Sequence, residues 1–451
     1  MEPIRIMIPE VHEAIEKRDF RALKEALQEF HPQDIVDLLR TMEPADRLIL
    51  FRLLAKNQAA EVFPFLEFEE QKDLLSRFTE QNLKEIIVEM SPDDRTDLLD
   101  ELPAGVVKRL LVLLDPAERA VANELLNYPE SSAGRLMTPE FVDLNADMTV
   151  DEAIERIRKT GPDKETIYYA YVTDATRTLK GMVSLRTLLL AKPGTRIEEI
   201  MKEEPIRVQT ADDQESVAHV IRKYDLLAVP VVDREKRLVG IVTVDDVVDV
   251  IADEATEDIQ KMGAIEAAEE GYFQTGFLSL ARRRILWLMI LLVTATLSGS
   301  ILEHYTAALQ TAVILVFFIP MLMNTGGSTG TQSATLIIRG LAMGEIDVRQ
   351  VGRVLWRESL MGIVLGSAIG VLGFLRAMFV PGSDPQVWLT VGLTLIVTVT
   401  TANLIGALLP IAAKLLRADP AIMAGPFIAT IMDATTLLIY FEIARRLLGI
   451  G

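Results

Sequence analysis

The sequence predicts a multidomain chain: an all-α superhelical N-terminal domain, a duplicated α/β unit, and an all-α transmembrane domain of five helices. Three observations predict it. Apolar pairs recur at helical spacing through residues 1–130. A β-α-β-β-α pattern then occurs twice, offset by about 60 residues. Beyond residue 281 the chain holds five stretches near or above the ~20 mainly apolar residues that a membrane helix needs.

Charge divides the chain the same way. Of 451 residues, half are hydrophobic, and the formal net charge is −19. From Gln274 onward, 12 Lys+Arg face 8 Asp+Glu, a net of +4; the residues before hold 34 against 57, a net of −23. Such an acidic excess attracts cations and speaks against a nucleic-acid partner, which needs a basic face. There is no cysteine, so disulfides, thiol catalysis and thiolate metal sites are excluded. The four histidines, His12, His31, His219 and His304, are not spaced as a zinc pair. No nucleophile–base pair is visible, so the reading is of a protein that is not an enzyme. The first residues, Met1-Glu2-Pro3-Ile4-Arg5, contain no apolar signal core, which places this part in the cytosol.

In residues 1–130, helix starts are marked by His31-Pro32-Gln33-Asp34, Ser91-Pro92-Asp93-Asp94 and Asp115-Pro116-Ala117-Glu118. Each sets proline in a first turn with acids after it. A loose period of roughly two dozen residues suggests stacked helical hairpins. The acids Glu61, Asp93, Asp94, Asp97 and Asp100, taken alone, read as a solvated face.

Residues 131–250 hold the duplication. In the first copy a helix over Thr149–Ile154 precedes strands over Tyr169–Asp174 and Leu179–Ser184 and a helix over Leu185–Leu190. The second runs from Ile200-Met201 through Asp212–Ala218, Ala228–Asp233 and Leu238–Thr243 to Val244–Val250. This resembles a tandem CBS-domain pair, which often binds adenine nucleotides through a Thr/Ser and an Asp three residues on. Thr243 and Asp246 match that motif as ribose-holding residues for ATP. In the first copy Thr187 stands in place of the carboxylate. A pair that only transmits shape is the alternative.

The connecting segment, 251–281, continues an unusually acidic helix. No Lys or Arg lies between Arg237 and Lys261, while Asp245, Asp246, Asp249, Asp253, Glu254, Glu257 and Asp258 all fall there. Residues 246, 249, 253 and 257 share one helix face, where like charges repel. Water and salt can offset this; a hard divalent cation with a taste for oxygen ligands is the specific answer.

The membrane region, 282–451, is read as spans near 285–302, 312–341, 361–380, 388–415 and 421–448. Arg282-Arg283-Arg284, then Arg339, Arg349, Arg353 and Arg357, then Lys414 and Arg417, mark cytosolic ends. With five spans the C-terminus falls outside the cell membrane. Within the second span lies a polar, glycine-rich run, Asn324 to Thr335, and the fifth holds Asp433. Polar groups at membrane depth face a packed interior or a water-filled path, and together these read as the lining of a cation path. Glycines that merely admit close helices, and Asp433 as a structural acceptor, are the plainer readings. Asp433 is read as the only deep carboxylate. Pro320, Pro410 and Pro426 predict kinked or broken helices near the polar run.

The whole chain resembles the MgtE family of magnesium channels in domain order. The local match is strongest over Thr325 to Arg339 (TGGSTGTQSATLIIR), with further matches at Thr166–Tyr169 and Glu254–Ile259. The resemblance implies a homodimer, embedded in membrane lipid, with the pore between subunits. It implies Asp433 as the pore carboxylate for hydrated Mg2+, helped by Asn324, Gly327, Thr331 and Ala429. Family members often carry asparagine at the positions of Ser328, Thr331 and Gly425. It further implies regulatory Mg2+ on Glu61, Asp93, Asp97, Asp213, Glu215, Asp225, Asp246, Asp249, Glu254, Glu257 and Asp258, with Arg135 where the family can have glycine. The expected function is a magnesium channel closed by cytosolic Mg2+ and modulated by ATP. The alternatives are a carrier coupling Mg2+, Mn2+ or Co2+ to Na+ or H+, and a membrane-anchored nucleotide sensor.

Overall fold

The computed structural model describes residues 11–449 apart from 12, 16, 18, 67, 267–274 and 307–311. His12 and part of the connecting segment lie outside the described residues. The chain forms two compact units, Met1–Ile251 and Ala252–Gly451, taken here one at a time.

The first unit begins with short helices. Pro32, Pro44, Pro92 and Pro116 each open one, where a missing N–H is harmless. Asp115 and Glu118 complete a capping box at the last of these. Helices pack on their next-but-one neighbours: Pro32–Arg40 on Lys56–Val62, that on Glu80–Glu89, and that on Ala104–Leu113. This is the stacking that a superhelical array requires. Ile35, Leu39, Leu50, Phe63, Leu74, Ile87, Leu99 and Leu110 form its fully buried core.

The two copies that follow fold alike. In the first, β1 (Val142–Leu144), β2 (Tyr169–Thr173), β3 (Leu179–Ser184) and β4 (Lys202–Glu203) lie in that order; in the second, β5 (Val208–Gln209), β6 (Ala228–Val232) and β7 (Leu238–Thr243) do the same. β1 runs parallel to β2 and β5 parallel to β6. Each β-hairpin carries a register shift at the same place, Val172/Thr173 and Val231/Val232. The sheets share a core of Phe141, Tyr171, Leu179, Ala228, Val232, Leu238 and Ile241. Gly181 and Gly240 also correspond: a Cβ there would press on Met201 Sδ at 2.7 Å and Met137 Sδ at 2.6 Å. The final helix of the second copy does not stop at Val250. It runs unbroken from Val244 to Met262, so the expected boundary at 250/251 falls inside one connecting helix.

Among the described residues of the second unit, five helices are long and apolar enough to cross a membrane. Their helical bounds are Phe277–His304, Ile319–Ala342, Val351–Met378, Pro385–Leu415 and Pro426–Leu448. Gly362 and Gly366 seat the third on the fourth: a Cβ at Gly362 would stand 2.7 Å from Thr400 Cα, and one at Gly366 2.9 Å from Ile396 O. Two expectations are corrected. The second span is continuous helix through the polar run, because Pro320 and Pro426 sit in first turns, where proline breaks nothing; only Pro410 is interior. Arg282–Arg284, Arg353 and Arg357 lie within the first and third helices rather than ahead of them.

Candidate functional site

Asn324, Gly327 and Thr331 fall at i, i+3 and i+7 of one helix and so share a face. That face meets the fifth span. A Cβ on Gly327 would stand 3.4 Å from the Cα and Cβ of Ala429. Asp433 follows Ala429 by one turn and is half-buried. Gly326 and Gly330 are packed too, against Thr436 and Ile428. Helix packing therefore accounts for the glycines. It does not account for Asn324, Ser328, Gln332 and Thr335, which run down the same helix as an exposed polar stripe. In hydrocarbon such a stripe needs water or another polar surface.

Asp433 is not alone. Glu358, in the second turn of the third helix, accepts a hydrogen bond from Ser333 Oγ at 2.9 Å. Ser333 Oγ is also 3.0 Å from the Asn403 carbonyl, and Asn403 Nδ2 reaches Glu358 O at 3.5 Å. Ser333 is set about 120° round the second helix from Gly327, the position that meets Ala429. Starting the third span at Met361 hid Glu358 in a loop. The signal was present in Gly362, Gly366, Gly370 and Gly373, a packed face on which Glu358 is the next step toward the N-terminus.

In the first unit, the helix Pro92–Glu101 and the start of the connecting helix face one another with acids. Asp93 is 6% exposed, and its Oδ1 has no hydrogen-bond partner. Burial first, opposed by the Ser91 hydroxyl and aggravated by Asp245, pushes its carboxyl upward. Burial and then Asp93 raise Asp94 to about 6, Asp97 to about 7 and Asp246 to about 8. Asp97 keeps an exposed edge. Glu165 is raised to about 7 by burial and then Asp93, and Glu140 is raised chiefly by burial. Asp249 is raised by burial and then Asp245. Glu140 and Glu165 join the cluster from the first copy and were missed, since no local pattern marks them. Arg135 lies 3.7 Å from Asp100 and neutralises that acid.

The remaining sequence candidates are more scattered. Glu61 is exposed at the end of Lys56–Val62. Asp213 caps the helix Gln214–Tyr224, accepting from Glu215 N, and Asp225 closes it in a left-handed conformation. In the second unit, Lys261 joins Glu257 at 2.5 Å to Asp419 at 2.6 Å. Asp258 is pushed up to about 6 by burial and then by Asp419. Glu254 lies one turn before it, half-buried. Among the described residues, no three His, Asp or Glu side chains converge as a ready-made metal site. What the structure assembles instead is crowded carboxylates in each unit, raised by burial and then by one another.

Comparison with known proteins decides the family. Residues 319–443 match the divalent cation transporter family MgtE, 30–131 its intracellular N domain, and 133–194 and 197–253 CBS domains. The chain is 44% identical to the magnesium transporter MgtE of Thermus thermophilus, over 97% of this chain and 98% of that one. The chain belongs to the MgtE family. A Bacillus subtilis magnesium transporter MgtE is 34% identical over 95% of this chain and 93% of its own. The crystal structure of the cytosolic domain of the Mg2+ channel MgtE in complex with ATP is 46% identical, with a TM-score of 0.52, covering 54% of this chain and 99% of that one.

Within this MgtE chain, Thr243 Oγ1 donates to Asp246 Oδ2 at 2.6 Å, and Thr243 N approaches the same oxygen at 3.3 Å. The pair thus closes the start of the connecting helix, with Asp246 in its first turn. In the first copy Ser184 and Thr187 make the equivalent contact, hydroxyl to hydroxyl, at 2.8 Å. Only in the second copy is a carboxylate part of the pair.

Proposed function

We propose that this chain forms a homodimeric magnesium channel in the cell membrane. It imports Mg2+ and is closed by cytosolic Mg2+ held on its acidic soluble domains. The observation that carries the reading is the face shared by Asn324, Gly327, Thr331, Ala429 and Asp433 beside an exposed polar stripe. A second copy facing that stripe would complete a water-filled path. Mg2+ sheds its waters reluctantly, and a half-buried carboxylate on that face, Asp433, suits an ion that keeps them. The arginine-rich helix ends support a cytosolic N-terminus and an outward C-terminus. The crowded acids supply a closed state that binds Mg2+ more tightly than the open one, which a ligand-driven shift demands. ATP, seen on the relative's cytosolic domain, is assigned to Thr243 and Asp246.

One observation favours a second reading, a carrier coupled to H+ or Na+: Glu358 is another carboxylate within the spans. Flux into liposomes decides between them. A channel moves Mg2+ under a membrane potential without a Na+ or pH gradient; a coupled carrier stops when that gradient is removed.

A further inference from the structure

The third span carries a basic face that neither the pore nor the acid clusters use. Gly362, Gly366, Gly370 and Gly373 mark its packed side, and Glu358 is turned inward to Ser333. At about 100° per residue, Arg353, Trp356, Arg357, Leu360 and Val364 point the other way. All five are exposed, Trp356 by 68%. Arg349, also exposed, stands in the turn just before the helix. No ion pair joins Arg349, Arg353 or Arg357 to an acid among the described residues. The nearest acids in sequence are accounted for: Asp347 Oδ1 accepts from Arg349 N, Glu345 is exposed in the preceding turn, and Glu358 faces inward.

Read from Arg349 toward Val364, this surface passes from guanidinium groups through an indole to aliphatic side chains. The order matches that from lipid phosphate through glycerol backbone to acyl chain. Arginines near a helix end reach back to the headgroup level, tryptophan settles at the interface, and a guanidinium fork matches phosphate oxygens. We propose that Arg349, Arg353, Trp356 and Arg357 form a headgroup site for an anionic phospholipid on the third span. The choice of leaflet rests on the orientation proposed above; binding itself does not.

Native mass spectrometry of the full-length protein in detergent, titrated with phosphatidylglycerol or phosphatidylcholine, tests this. Wild type is expected to retain phosphatidylglycerol and release phosphatidylcholine. R349Q/R353Q/R357Q is expected to weaken that retention roughly tenfold or more, since each juxtamembrane charge contributes several-fold. R282Q/R283Q/R284Q, equally basic but elsewhere, is expected to leave it unchanged. Should the glutamine triple fail to fold, R349K/R353K/R357K with W356L replaces it and is expected to lose retention in part. Equal retention of both lipids, no loss in the variants, or an equal loss in the Arg282–Arg284 triple overturns the proposal. So does dissociation of the dimer by the Arg349–Arg357 triple, which would make this face a contact between copies.

Discussion

Lys261 Nζ bridges Glu257 Oε1 at 2.5 Å and Asp419 Oδ2 at 2.6 Å, tying the end of the connecting helix to the turn before the fifth span. Beside it, Gly425 holds φ at +51°, and a Cβ there would overlap the Met262 carbonyl oxygen. Lys261 acts as a tethered cation in an acidic seat. K261Q is expected to raise the cytosolic Mg2+ concentration needed for closure by about fivefold, since a partly exposed ion pair contributes up to about 1 kcal/mol. Removing the acids themselves, in E254A/E257A/D258A, should leave the pore open at millimolar Mg2+. Patch-clamp open probability against cytosolic Mg2+ reads both. Wild-type curves in the two variants would refute the role of this seat.

The buried acids make stability depend on pH and metal together. Asp94, Asp97 and Asp246 are raised from 3.8 to about 6, about 7 and about 8. A raised carboxyl binds its proton more tightly in the native state. Its contribution is full below the unfolded value near 4 and is lost as pH climbs through 6 to 8. A fragment ending at Met262, melted in chelator, should therefore lose several degrees of Tm between about pH 6 and about pH 8. Mg2+ should restore more at the upper end than at the lower. A Tm that is flat with pH in chelator would contradict the crowding.

ATP should bind the segment 130–260, and D246A should weaken it roughly tenfold or more, as loss of a charged hydrogen bond does. Because Asp246 also closes the connecting helix against Thr243, D246N is the better control. It keeps an acceptor for Thr243 but loses the charge, and should weaken ATP without lowering Tm. Calorimetry with no heat from the unmutated segment would leave the pair a mechanical link.

Glu358 separates the two transport readings. E358Q keeps an acceptor for Ser333, whereas E358L leaves that hydroxyl only the Asn403 carbonyl. For a channel, E358Q should conduct Mg2+ nearly as wild type does and E358L several-fold less. Wild-type uptake driven by a pH gradient, and abolished in E358Q, would instead favour the coupled carrier.

The helix starts at Pro32, Pro92 and Pro116 and the hairpin strands of both copies could be read directly, because proline placement and short apolar, β-branched runs bounded by turns are local signals. Thr243 and Asp246, three residues apart at a strand–helix junction, were picked out by resemblance to the CBS motif. The start of the third span was not: Arg353, Trp356, Arg357 and Glu358 spoil an apolar count while lying on opposite sides of one helix. Pro320, Pro410 and Pro426 suggested a break near the polar run, yet Pro320 and Pro426 open their helices. The glycines of the run are filled by neighbouring helices, so packing overrides their weak helix propensity. The approach of Asp93 to Asp245 and Asp246 joins residues some 150 positions apart. No window of sequence carries that; resemblance to the family placed Asp93 and Asp246, but not Asp245, in one role.

In the channel proposed here, Mg2+ passes the face where Asp433 follows Ala429, which packs on Gly327. Mg2+ flux into liposomes containing D433A, driven by a membrane potential, tests it most directly. Flux should be abolished or sharply reduced, with the thermal melt and the oligomeric state of wild type. Undiminished, Mg2+-selective flux through D433A would contradict it.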